Sequence, residues 1–115
     1  MNDMRIMLVD DNLELRRAMR EHLQRQENMR IVAEASTGLE ALEHLSKTPV
    51  DVIILDIIMP QMDGYSFLEE MNRQQLENPP QVIVLSALGR DDFIMRAVEA
   101  GARFYMIKQI GRAHV

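Results

Sequence analysis

The run Val52-Ile53-Ile54-Leu55 constrains this chain more than any other segment. It is continuously apolar, rich in β-branched residues, and ends on Asp56. A strand with one wet face would alternate apolar and polar residues. One that is apolar on both faces needs cover on both, which suits a central parallel strand with helices on either side. The strand is expected over residues 50–55, third in a series of five. The first is Ile6-Met7-Leu8-Val9, ending on Asp10-Asp11. The second covers 30–35 and is partly polar, which places it at or near an edge. The fourth covers 81–85 and ends on Ser86; the fifth covers 103–107 and ends on Lys108.

Helical segments separate the strands. Over residues 13–26, Leu15, Met19 and Leu23 recur on one face while Arg16, Arg17 and Arg20 lie off it, and Asn12 can cap the start. Thr37 and Gly38 lead into a helix carrying Leu39, Leu42 and Leu45, punctuated by Pro49. A third helix is expected over 65–73 after a loop containing Pro60 and Asp63-Gly64, where Gly64 supplies a positive φ. A fourth begins at Asp91 or Asp92 and stops at Gly101. Strands alternating with helices imply right-handed βαβ units and a doubly wound α/β fold with a five-stranded parallel sheet.

Composition limits the functions open to such a fold. At 115 residues the chain is one domain, and its 47% hydrophobic and 27% charged residues are ordinary for a soluble globular protein. The net charge of −5 argues against direct nucleic-acid binding, which needs clustered Lys and Arg. With no cysteine, thiolate metal sites, disulfides and cysteine nucleophiles are excluded. No apolar run approaches the roughly 18 residues of a membrane helix, and the N-terminus shows no signal-peptide pattern. A cytoplasmic location without membrane attachment is the expectation.

In open parallel sheets, ligands bind at the carboxyl ends of the strands. Here those ends carry Asp10, Asp11, Asp56, Ser86 and Lys108. Clustered carboxylates repel one another unless a cation sits between them. An all-oxygen donor set favours a hard ion, with Mg²⁺ as the expected cofactor. A carboxylate can also act as nucleophile and form an aspartyl-phosphate. Such a transfer depends mainly on positioning and charge neutralisation.

Four blocks carry a family resemblance: Leu8-Val9-Asp10-Asp11-Asn12, the stretch from Leu55-Asp56 through Met59-Pro60 to Asp63-Gly64, Leu85-Ser86-Ala87, and Tyr105-Met106-Ile107-Lys108. In these the chain resembles the CheY-like receiver domains of two-component response regulators. The middle block and the stretch from Leu85 to Asp92 look most like the receivers of sporulation transcription regulators in Gram-positive spore formers. The resemblance implies a flavodoxin-like strand order 2-1-3-4-5. It implies that Asp56 accepts a phosphoryl group from a phosphohistidine on a sensor histidine kinase or a histidine phosphotransfer protein. Asp11, Asp56 and the backbone carbonyl of Ile58 would ligate Mg²⁺, with Asp10 acting through a coordinated water. Ser86, Lys108 and the backbone N–H groups of Ile58 and Ala87 would bind phosphoryl oxygens. Ser86 and Tyr105 would form the conformational switch. Homodimerisation on phosphorylation is a further partner expectation.

Two positions refine this picture. Ile58 and Leu88, two residues after Asp56 and Ser86, flank the route of the hydrolytic water in receivers. Both are apolar here and cannot orient it, so a long-lived phosphoryl group is expected, suited to transcriptional control. Two other readings are weighed. An Mg²⁺-dependent phosphatase with an aspartate nucleophile needs a general-acid aspartate where Ile58 stands. A degenerate receiver acting only through protein contacts is argued against by the intact Asp10, Asp11, Asp56, Ser86 and Lys108. His22 and His44 read as surface residues, and the arginines at 16, 17 and 20 as a solvated helix face that can touch a phosphotransfer partner.

The chain departs from the family after Lys108. Gln109 replaces the usual proline, and Ile110 to Val115 stand where a fifth helix is expected. This hexapeptide matches the translation of a common sequencing-adapter read-through. The expectation is a receiver domain over residues 1–109 lacking its fifth helix, with a non-native tail over 110–115.

Overall fold

The structure, a computed structural model, describes residues 3–56, 64–86 and 104–107, with Ser86 and 104–107 described by their backbone. Its elements run β1 (Met4–Val9), α1 (Leu13–Gln24), β2 (Met29–Ala35), α2 (Gly38–Lys47), β3 (Val52–Asp56), α3 (Gly64–Arg73), β4 (Gln81–Ser86) and β5 (Phe104–Ile107). All strand pairs are parallel, in the order β2-β1-β3-β4-β5. The doubly wound α/β fold and its flavodoxin-like strand order are therefore as expected. The central place goes to β3, the strand apolar on both faces, and the partly polar β2 lies at an edge. The helix expected between 91 and 101, and everything after Ile107, lie outside the described residues.

Alternation along the strands sorts the apolar side chains between the two faces. Met7, Val9, Ile53, Leu55, Val82 and Val84 join the core beneath α2 and α3. There Phe67 and Leu68 are fully buried and Met71 nearly so. Burying a side chain of this size stabilises the fold by about 1.5–3 kcal/mol. The sequence marked Leu39, Leu42 and Leu45 on α2. In the structure Leu42 and Leu45 pack against the core, while Leu39 faces solvent and Ala41 is buried. On the opposite face, α1 packs against β1 and β2. Beyond it, Ile54, Ile83 and Leu85 line an open apolar groove with Met19 and Leu23 of α1.

The starts of α1 and α2, at the carboxyl edge, are capped. Asn12 Oδ1 accepts from the Leu15 N–H at 3.1 Å, the cap the sequence suggested. Thr37 Oγ1 accepts from the Glu40 N–H at 3.1 Å, while Glu40 Oε1 accepts from both the N–H and the hydroxyl of Ser36 at 2.7 Å. Gly64, read from the sequence as a turn residue, is the first residue of α3 and is buried.

The amino edge of the sheet is clamped by Arg5 and Asp51. The Arg5 guanidinium donates to both Asp51 oxygens at 3.0 Å, and the Arg5 N–H donates to Oδ2 at 2.8 Å. The Asp51 N–H donates to the Arg5 carbonyl, and the Gln81 N–H to the Asp51 carbonyl. One residue thus ties the starts of β1, β3 and β4 and fixes their register.

Hydrogen bonds from the Arg5 side chain and backbone hold the Asp51 carboxyl below its ordinary pKa. A depressed carboxyl means that the unfolded chain binds more protons, so stability rises with pH. The contribution is complete above the unfolded value and is lost as pH falls through the lowered folded value. In thermal melts, Asp51→Asn should unfold at a lower temperature than the native chain at neutral pH. That gap should narrow in acid; a constant gap would refute the assignment.

Candidate functional site

The β1–β3 register builds the site. Val9 pairs with Leu55, so the next residues, Asp10 and Asp56, leave adjacent strands side by side. Asp11 follows in the bend before α1. One carboxylate oxygen from each of Asp10, Asp11 and Asp56 lies within 4.8 Å of the others. Asp10 is 1% exposed and Asp56 7%, while Asp11 is open to solvent. The three aspartates singled out in the sequence therefore meet in one pocket, two forming its floor and one its rim.

Several hydrogen bonds set the Asp10-Asp11 turn. The Asp10 N–H continues the ladder by donating to the Ala35 carbonyl at 3.0 Å. Asp10 Oδ1 accepts from the Asn12 N–H at 2.9 Å. The Asp10 carbonyl accepts from Arg16 Nη1 at 2.6 Å. Arg16 is held in turn by Glu34 of β2, whose Oε1 accepts from Arg16 Nε at 3.2 Å and whose Oε2 accepts from Arg20 Nη1 at 2.7 Å.

This corrects the reading of Arg16, Arg17 and Arg20 as a solvated face. Arg17 is exposed, but the Arg16 side chain is only 14% exposed and that of Glu34 19%. Sequence reasoning missed this pair. The available signal was a long cation one turn into the helix after the acidic turn, with a lone carboxylate in the neighbouring strand.

The other expected site residues stand at the same edge so far as they are described. Asp56 pairs with Leu85, so Ser86 is the next residue along β4, and Ser86 pairs with Ile107 at the end of β5. Lys108 comes directly after Ile107 in the sequence. Tyr105 pairs with Val84 in β5. Ile58, Ala87, Leu88 and Lys108 lie outside the described residues, as do the side chains of Ser86 and Tyr105.

The donor set fits a hard divalent cation. It offers carboxylate oxygens only, from three residues, with two of them withdrawn from water. Like charges about 4 Å apart repel by about 1 kcal/mol in water and about 4 kcal/mol near a protein surface. A small dication accommodates all three, and Mg²⁺ leaves room for waters and phosphate oxygens beside carboxylate ligands.

A buried aspartate flanked by two others, at the carboxyl edge of a flavodoxin-like sheet, defines an acidic-pocket α/β protein. The family model for the response regulator receiver domain matches residues 6–115. The chain belongs to that family. Among solved structures, it is similar to the signal receiver domain of the response regulator NarL from Mycobacterium tuberculosis. The identity is 27% and the TM-score 0.87, over 93% of this chain and 85% of that one. A DNA-binding response regulator of the LuxR family from Staphylococcus aureus is 26% identical with a TM-score of 0.84, covering 96% and 88%. CheY from Borrelia burgdorferi, solved with CheX, BeF₃ and Mg²⁺, is 25% identical with a TM-score of 0.75, covering 93% and 79%.

Charge crowding has a measurable consequence. Without divalent cations, Asp56→Asn removes one of three mutually repelling charges, so the variant should melt higher than the native chain. About 1 kcal/mol of relief corresponds to roughly 4 °C or more in a domain near this size. Added Mg²⁺ should raise the native melting temperature and leave that of Asp56→Asn nearly unchanged. Equal responses of the two proteins would count against a shared cation site.

Proposed function

We propose that the chain is a phosphoacceptor switch in which Asp56 takes a phosphoryl group from a phosphohistidine on a sensor kinase or phosphotransfer protein. The carrying observation is the Asp56 carboxylate, 7% exposed at the end of the central strand, clustered with Asp10 and Asp11. An Asp56 oxygen attacks phosphorus, the P–N bond to the donor imidazole breaks, and the P–O bond of an acyl phosphate forms. The imidazole leaves with the bonding pair and takes up a proton from solvent.

Asp10, Asp11, Asp56 and the carbonyl of Ile58 are the proposed Mg²⁺ ligands, with Asp10 acting through a water. The bound ion would supply positive charge against the phosphoryl oxygens. Ser86, Lys108 and the N–H groups of Ile58 and Ala87 complete the oxygen-binding set in this reading. Ser86 and Tyr105 relay the phosphorylated state by moving together. The Borrelia CheY structure supports the scheme by analogy, since BeF₃ has the shape and charge of a phosphoryl group.

Output through transcription is part of the proposal. It draws on the likeness to a DNA-binding regulator and on the resemblance of the Asp56 and Ser86 blocks to sporulation regulators. Apolar Ile58 and Leu88 fit a phosphoryl group that persists. The proposed receiver spans residues 1–109, with 110–115 as a tail outside it.

Incubation with acetyl phosphate or phosphoramidate in Mg²⁺ should add one phosphoryl group, read by intact mass. Asp56→Asn and omission of Mg²⁺ should each abolish it. Stoichiometric labelling of Asp56→Asn would refute the acceptor assignment. After donor removal the label should decay over many minutes; loss within seconds would overturn the persistence argument.

A further inference from the structure

We infer that Arg16 is a positioning residue for the acidic pocket, locked by Glu34 so that it orients the peptide joining Asp10 to Asp11. The inference rests on the cation-binding reading of that pocket and extends it to residues outside the ligand set.

The Asp10 carbonyl belongs to the peptide unit that links the two carboxylate-bearing residues. A peptide unit is planar, so fixing its oxygen fixes the plane and limits the directions in which the flanking side chains depart. Arg16 Nη1 holds that oxygen at 2.6 Å, in a charge-assisted bond. The guanidinium cannot drift, because its Nε is bound to Glu34 Oε1 at 3.2 Å, and Glu34 is braced on its other oxygen by Arg20. The fork of donors is rigid and mostly buried, so the second bond sets the angle of the first. On the other side, the Asn12 N–H holds Asp10 Oδ1, and Asn12 caps the helix that carries Arg16. The turn is thus held at its carbonyl and at one carboxylate oxygen by the same first turns of α1.

Charge and geometry make opposite predictions for this residue. A cation beside a cation site weakens binding, so removing Arg16 should tighten it if only charge matters. If Arg16 orients the turn, its removal loosens two of the three carboxylates and weakens binding. Arg20 separates the two effects, since it shares the Glu34 carboxylate and the charge, whereas the Asp10 carbonyl is held by Arg16.

The test is the affinity of the full 115-residue chain for Mg²⁺ by calorimetry and for Mn²⁺ by the electron paramagnetic resonance signal of the free ion. Arg16→Gln should bind about tenfold more weakly, the scale seen when groups that orient metal ligands are removed. Arg20→Gln should bind more tightly than Arg16→Gln, because Arg16 keeps its own bonds to Glu34 and to the Asp10 carbonyl. Arg16→Lys keeps the charge but loses the fork, and should fall between native and Arg16→Gln. It also decides the matter if Arg16→Gln fails to fold, because native affinity in Arg16→Lys overturns the inference. Native or tighter binding by Arg16→Gln overturns it too, as does equal weakening by Arg20→Gln. A native chain that binds neither ion brings down the cation-site reading itself, whereas native binding with an unaffected Arg16→Gln removes this inference alone.

Discussion

The pairing of β1 with β3 is the constraint on which the site depends. It sets Val9 against Leu55 and so delivers Asp10 and Asp56 together. The register is enforced from below. Ile53 and Leu55 are fully buried beneath α2 and α3, and a slip of one residue would turn them towards the opposite face. The Arg5–Asp51 clamp resists the same slip at the amino edge. Apolar burial thus holds in place an arrangement of charges that would otherwise move apart.

The cost of that arrangement is local repulsion, and the surrounding structure answers it with fixed donors. The Asn12 N–H and the Arg16 guanidinium converge on Asp10, and Glu34 balances the arginine. The same helix α1 packs on the sheet and braces the turn, so its packing and the shape of the pocket are coupled. In the switch proposed for this domain, such coupling would let a charge change in the pocket reach a packed helix.

Much of this was legible in the chain. Continuous apolar character placed β3 at the centre, and the polar residues in 30–35 placed β2 at an edge, because burial on two faces or one leaves a distinct pattern. The acids at strand ends were legible because parallel topology gathers strand ends at one edge. Arg16 and Glu34 were not. They are far apart in sequence, each is an ordinary charged residue alone, and their partnership exists only because β2 lies beside β1 under α1. Leu39 shows the same limit, since helical spacing does not say how far the neighbouring layer extends.

The sequence by itself determined the architecture, the strand order through its family resemblance, and which residues could form an acidic pocket. These follow from local patterns of burial and from the chemistry of side-chain types. Tertiary structure alone decided that one oxygen from each of the three carboxylates comes within 4.8 Å of the others, and that Arg16 reaches back to the turn between two of them. Distances of that kind depend on strand register and helix placement, which are properties of the packed whole.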